Sequence, residues 1–507
     1  MNKRVFIKNT AIMTVTSLLL RTLGIVFRIF ISNRVGAEGM GLYQLVFSVY
    51  ILGGTFASAG LTTAVTRMAA EQLSRQNLPA LHRVMRLSFA ACLLVGGASA
   101  ALLYFGAPLI SGWIGDIRTL RAISISGIAL PFIGISSCLK GYFMARRKSE
   151  APCLSQLVEQ MIRIGSILWL LHTRWDGSLE QACVIIIAGD ALSETAACIQ
   201  LYITYRFDRR RLFFPQKAEQ PRPPIWRPML HIALPLTAGR YLSTILRTIE
   251  NILVPARLTL FTHSAALSLE QFGAVKGMAL PFLFFPSAFL ITISNLLMPE
   301  LSDAHALGQR RQVARLVEYT LQITLLASIL LGGLFTTLGE TLGDRLYAHS
   351  TVGVLLQILG PLAPVMYLDS VATGMLKGLG EQVHSLWFSV LDSAVRIVLI
   401  WLLLPRFGLM GFLFVMLVSN ILTCVLSTRH LLYVSKSRLA VWRSLLGPVT
   451  AALIAGVSWR IGVPASDTYL WIIGGCVWIT VIYLLLLQVF GCFSQIDRQR
   501  LTIKRSA

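Results

Sequence analysis

Apolar runs of about 20 residues recur along the whole chain, separated by short breaks rich in Arg, Lys, Pro or Gly. A helix rises 1.5 Å per residue, so each run is long enough to cross a hydrocarbon layer of roughly 30 Å. The pattern predicts fourteen membrane helices, at 9–33, 42–66, 87–106, 122–143, 152–172, 182–205, 229–254, 277–298, 316–338, 351–375, 385–404, 408–429, 444–461 and 468–490. The tenth carries Pro361, Pro364 and Asp369, and the eleventh and twelfth divide at Pro405–Gly408. The opening Lys3, Arg4 and Lys8 resembles a signal peptide. The run behind it, however, is long, holds arginines and lacks a small-residue cleavage site, so we read it as a retained first helix.

Composition agrees with an all-α integral membrane protein. Of 507 residues, 55% are hydrophobic and 13% charged, with mean hydropathy +0.69. The net charge of +22 invites a nucleic-acid reading, but the charges lie mostly between apolar runs, where loops and anionic lipid use them. With the N-terminus inside, segments assigned to the cytoplasm hold 30 Lys and Arg, segments assigned outside hold 9, and six arginines fall within helices. That bias predicts fourteen spans with both termini cytoplasmic. The eight cysteines form no CxxC and read as packing residues; the eight histidines show no ligand spacing, so no metal is expected. There is no Gly-Lys dipeptide, HExxH or GxSxG, which removes the Walker A route to ATP hydrolysis and leaves an enzyme reading little support.

Internal repetition organises the chain. Arg21 and Arg28, in an Arg-x-Leu-x-x-x-x-Arg pattern, recur 219 positions later as Arg240 and Arg247. Leu139-Lys140-Gly141 recurs as Leu376-Lys377-Gly378, and Glu159 with Arg163 as Asp392 with Arg396. This order predicts two six-helix lobes of parallel topology, 1–206 and 229–434, related by a pseudo-two-fold axis along the membrane normal. A basic, Pro-rich linker, 207–228, joins them. Helices thirteen and fourteen, 435–490, and a basic tail, 491–507, lie outside the repeat.

The arginine pairs carry the candidate chemistry. Seven residues are nearly two helical turns, so each pair projects from one face. In the first helix Thr10, Thr14, Ser17, Arg21, Gly24 and Arg28 form a polar or small stripe, matched by Thr237, Arg240, Ser243, Arg247 and Glu250 in the seventh. An arginine at bilayer depth costs roughly 2.5–3.5 kcal/mol on insertion scales, so it faces a wet or protein-lined interior. Its planar fork suits a diphosphate. The competing reading is that these arginines pair with buried acids or snorkel to the interface. Glu159–Arg163 and Asp392–Arg396 are acid–base pairs one turn apart, read first as structural ion pairs and second as gates. Asp190, Glu194 and Asp369 are candidates for coupling to H+ or Na+, or for packing against arginines.

Particular stretches carry a family resemblance. Arg21-Thr-Leu-Gly-Ile-Val-Phe-Arg28, Val35-Gly-Ala-Glu-Gly-Met-Gly-Leu-Tyr-Gln44, Leu139-Lys-Gly-Tyr-Phe143 and Ser155 to Arg163 are joined by Val254 to Leu258, Leu376 to Gly380 and Leu404 to Gly408. Together they resemble the stage V sporulation protein B branch of the multidrug/oligosaccharidyl-lipid/polysaccharide (MOP) exporter superfamily, which also contains lipid II flippases. The resemblance implies two lobes around a central cavity, with arginines engaging a diphosphate and helices thirteen and fourteen holding a lipid tail. Lys140 and Met144-Ala145 depart from the family's usual Arg and Gln-Gly. The function it implies is flipping an undecaprenyl-diphosphate-linked saccharide by alternating access, without a cofactor. The implied partners are that lipid-linked oligosaccharide, membrane lipids and cell-wall synthesis enzymes, with a monomer as the working unit. The rivals are a drug–cation antiporter of the same fold, a membrane glycosyltransferase, and a scaffold without transport.

Overall fold

The computed structural model describes residues 3–58, 60–212, 226–348, 350–462 and 469–492, with side chains from Thr14 and, after the linker, from Ala238. Thr10, Thr237, most of the predicted linker and nearly all of the basic tail lie outside the described residues or side chains. Every predicted stretch is helical over most of its length. In order, the α-helices are α1 (Lys3–Ser58), α2 (Leu61–Ser74), α3 (Leu78–Ile114), α4 (Leu120–Ser126), α5 (Leu130–Ala145), α6 (Glu150–Arg174), α7 (Leu179–Arg210) and α8 (Trp226–Thr262). They continue as α9 (Ala265–Phe272), α10 (Leu280–Phe284), α11 (Ser287–Ala306), α12 (Arg310–Leu346), α13 (Ser350–Leu359), α14 (Ala363–Gly378), α15 (Gln382–Ser435), α16 (Gly447–Gly462) and α17 (Tyr469–Val489). Among the described residues nine helical segments are long and apolar enough to cross a membrane, or ten if the bent pair 265–284 and 287–306 is one span.

The breaks have local causes. α1 bends at Gly36, whose φ of 77° is in the region that favours glycine, within the Gly-Ala-Glu-Gly-Met-Gly stretch. α15 bends at Gly408 (φ 55°), where a Cβ would also come within 2.5 Å of the Phe261 ring. Beyond that bend the chain runs back along itself, because Asp392 and Arg396 on the first arm both bond Ser419 on the second. The 51° bend between α10 and α11 follows a π-helical segment, Gly273–Ala279, and includes Pro281 and Pro286, whose rings remove helix hydrogen bonds. Pro361 lies within the 3₁₀ turn Gly360–Leu362 between α13 and α14, and Pro364 opens α14 behind it.

Two compact units emerge from the packing. The first comprises residues 1–27, 38–259 and 264–270, and the second residues 28–37, 260–263 and 271–507. In the first, α2, α3, α5 and α7 enclose Val65, Met85, Cys92, Cys138, Tyr142 and Leu201, so these two cysteines pack as the sequence predicts. α8 belongs to this unit as far as Thr259: Tyr241 donates to the Phe56 carbonyl at 3.2 Å and Asn251 to Ser48 Oγ at 2.8 Å. In the second unit α16 and α17 pack on α12 through Leu338, Ala455, Trp459, Ile479 and Tyr483. Their other faces expose Leu453, Val457, Ile473, Val477 and Leu485, as a lipid-facing surface does.

The Leu-Lys-Gly repeat has a structural meaning in both units. Leu139 and Leu376 are fully buried. The Gly141 carbonyl accepts from the Thr66 hydroxyl at 3.1 Å, and the Gly378 carbonyl from the Ser302 hydroxyl at 2.8 Å. Each glycine lets a neighbouring helix approach: a Cβ on Gly141 would lie 2.7 Å from the Thr62 carbonyl oxygen, and one on Gly378 2.9 Å from Met298 Cγ. Small residues at helix contacts are the expected device where lipid supplies no hydrophobic drive between helices.

Candidate functional site: a charged cleft in the first unit

The first unit holds an open cleft of about 410 Å³ built from four helices. α1 contributes Ser17, Leu20 and Arg21; α5 contributes Lys140; α6 contributes Gln156, Glu159 and Gln160; α7 contributes Glu194. Helical spacing explains the set, because Ser17 and Arg21 are one turn apart, as are Gln156 and Gln160. Two cations thus face two carboxylates across a polar space. Among the described residues Arg21 makes no ion pair and its side chain is exposed. A guanidinium so placed keeps all its donors for a ligand.

Arg163 borders the same region in a different state. Its Nη2 lies 2.8 Å from Glu159 Oε1, its Nε 2.7 Å from Asp190 Oδ1, and its Nη1 donates to Gln160 Oε1 at 3.1 Å. Tyr43 donates to the other Asp190 oxygen at 3.4 Å. The Glu159–Arg163 pair therefore forms at its predicted spacing and recruits Asp190 from α7, tying two helices together. Asp190 and Glu194 part company: the first is buried on Arg163, and the second faces the cleft with Lys140.

The remaining predicted residues distribute as follows. Arg240 and Arg247 on α8 are exposed and make no ion pair among the described residues, while Glu250, one turn on, is buried. The hydroxyls of Ser243 and Thr244 donate back to the Arg240 carbonyl. Arg28 belongs to the second unit, where its Nε donates to the Gly277 carbonyl at 2.9 Å in the π-helical segment. Arg396 Nε lies 3.2 Å from Asp392 Oδ2, and Ser419 bonds both side chains. Asp369 sits half-buried on α14 in the second unit, and Asp190 and Glu194 lie on α7 in the first.

Sequence reasoning missed Lys140, Gln156 and Gln160. It counted Lys140 as a loop charge, although Lys140 lies within α5 and lines the cleft with Arg21. The available signal was its place inside a repeat, where a topology charge needs no fixed partner. Histidines without ligand spacing also hid a cluster: Glu381, His384 and His430 converge in the second unit.

These features define a class: an all-helical, multi-pass integral membrane protein. The fold matches that of the lipid II flippase MurJ in an inward closed conformation, with TM-score 0.72 at 14% identity over 95% of this chain and 99% of that one. It also matches an inward-facing multidrug resistance MATE family transporter of the MOP superfamily, with TM-score 0.64 at 12% identity over 83% and 99% of the two chains. The chain belongs to the polysaccharide biosynthesis protein family, whose model matches residues 6–269. Among its relatives, stage V sporulation protein B of Bacillus subtilis (strain 168) is 24% identical over 446 residues, 86% of this chain and 85% of that protein. Lipid II flippase MurJ of the same organism is 20% identical over 436 residues, 78% and 76% of the two.

Proposed function

We propose that this chain is a flippase that moves an undecaprenyl-diphosphate-linked saccharide, a peptidoglycan precursor, across the bacterial plasma membrane by alternating access. The observation that carries the proposal is Arg21, a guanidinium that lines the cleft with Lys140 and has no carboxylate holding it among the described residues. Paired cations lining one polar cleft suit a diphosphate, whose charge they neutralise and whose oxygens they bond. Arg240 and Arg247 on α8 would extend the contact, and Arg28, braced by the Gly277 carbonyl, would order the far end of the α1 stripe. The Glu159–Arg163–Asp190 and Asp392–Arg396–Ser419 clusters act as fasteners. Glu194 and Asp369 are the candidates for H+ or Na+ coupling, and no cofactor enters the cycle.

Membrane topology supports the same reading. Splitting α1 at Gly36 and α15 at Gly408 raises the ten apolar spans to twelve, α6 and α8, each long enough to cross, bring the number to fourteen, and the 30-to-9 charge bias then fits both termini in the cytoplasm. Two six-helix lobes, 1–206 and 229–434, are joined by the 207–228 linker. α16 and α17, with their exposed apolar faces, would accompany the polyprenyl tail.

One observation favours a second reading. Glu159 and Glu194 line the cleft together, and a pair of carboxylates suits a cationic drug. Reconstituting the purified protein and comparing a polyprenyl-diphosphate saccharide with cationic dyes separates the two. The flippase reading expects translocation of the lipid-linked saccharide and none of the dyes; the opposite result makes the protein a drug–cation antiporter.

A further inference from the structure

The two histidines of α15 stand 46 positions apart, about 69 Å along a straight helix, so spacing gives no hint that they meet. The bend at Gly408 lies almost midway between them and lays the second arm back along the first. His384 and His430 therefore end up side by side, with ring centroids 4.4 Å apart. Glu381, immediately before the helix, sits between them. Its Oε2 lies 2.7 Å from His384 Nδ1 and 3.3 Å from His430 Nε2. The three ligand atoms all fall within 4.8 Å of one another. The Phe388 ring meets His430 edge-on at 5.7 Å and shields one side.

We propose that Glu381, His384 and His430 form a site for a divalent transition metal of the zinc class, clamping the two ends of the α15 hairpin to the turn that follows α14. Two imidazoles and one carboxylate are a borderline donor set that favours zinc over magnesium or calcium. Tetrahedral zinc with bonds of 2.0–2.2 Å spaces its ligand atoms about 3.3 Å apart. The Glu381–His430 separation already matches that spacing. His384, with 56% of its side chain exposed, is free to open its contact with Glu381 by a rotation. Three protein ligands leave a fourth position for water or for a group from outside, so the clamp is built to load and unload. A metal there would fix the separation of the two arms at that end, where Asp392, Arg396 and Ser419 fasten them farther in.

The test uses the full-length protein, stripped with a chelator in detergent, titrated with Co2+ by its visible absorption and with Zn2+ by competition. One equivalent is expected, with a thermal unfolding midpoint that rises on Zn2+ addition and is unmoved by Mg2+. His384→Ala with His430→Ala should weaken Zn2+ by more than about 100-fold, beyond the usual effect of losing a supporting group. That double variant should still unfold at the metal-free wild-type temperature. Glu381→Gln should fall between the two. Wild-type affinity in the double variant, or no saturable Co2+ band in the native chain, would overturn the proposal. If the double variant fails to fold, the Co2+ band in Glu381→Gln decides: an unchanged band overturns the site and a weakened one supports it.

Discussion

The two copies of the repeat use the same residues to different ends. In the first unit Leu139-Lys140-Gly141 and Glu159–Arg163 surround a cleft: Lys140 faces it, Glu159 lines it, and Arg163 is held by a second carboxylate from α7. In the second, Leu376 and Gly378 make the same kind of helix contact, yet Lys377 is exposed, and Asp392–Arg396 is closed by the Ser419 hydroxyl. Leucine and glycine thus repeat for packing and the acid–arginine pair as an ion pair with different company, whereas lysine repeats in sequence but not in placement.

The sharpest way to break this comparison is at the arginines. Arg163→Ala strands Glu159 and the buried Asp190, and should destabilise the protein by about 3–5 kcal/mol, as loss of one member of a buried pair does. Arg396→Ala strands Asp392, which is less buried than Asp190 and keeps the Ser419 hydroxyl, and should cost less. Thermal unfolding in detergent checks the order, and equal losses would mean the two clusters are equivalent fasteners.

A smaller effect separates the glycines. Gly141→Ala drives a Cβ against the backbone oxygen of Thr62, which has no freedom to withdraw, and overpacking of this kind costs about 1–3 kcal/mol. Gly378→Ala meets the flexible Met298 side chain and should lie at or below the bottom of that range. A larger loss for Gly378→Ala would show that the two contacts are not packed as described. The smallest expected change is in Ser302→Ala, which removes one hydroxyl-to-carbonyl bond, and Thr66→Val, which removes a hydroxyl shared between the Thr62 and Gly141 carbonyls, each worth about 0.5–1.5 kcal/mol. A midpoint shift in either beyond that range would mean the hydroxyl carries more than its bond.

Much of this was legible in the chain because bilayer physics writes it coarsely. Long apolar runs had to be helices, and Gly408 after Pro405 had to bend one. The Glu159–Arg163 and Asp392–Arg396 pairs followed from helical spacing alone. What spacing could not supply was cross-helix company. Asp190 and Glu194 stand one turn apart on α7 yet face an ion pair and a cleft respectively, a choice made by α6 and α5. Arg28 shares the Arg21 stripe, but its Nε is taken by a carbonyl of a π-helical segment whose geometry no periodicity encodes. His384 and His430 met only because a hairpin folded between them.

The central claim is that Arg21, without an acidic partner among the described residues, grips the diphosphate of a lipid-linked saccharide. The direct measurement is translocation of that lipid in vesicles by wild type, Arg21→Ala and Lys377→Ala, each verified to unfold at the wild-type temperature. Arg21→Ala should reduce the rate by at least about 100-fold, in keeping with the roughly 3 kcal/mol of a charge-assisted contact, while Lys377→Ala stays within about twofold. Wild-type transport by Arg21→Ala would contradict the claim.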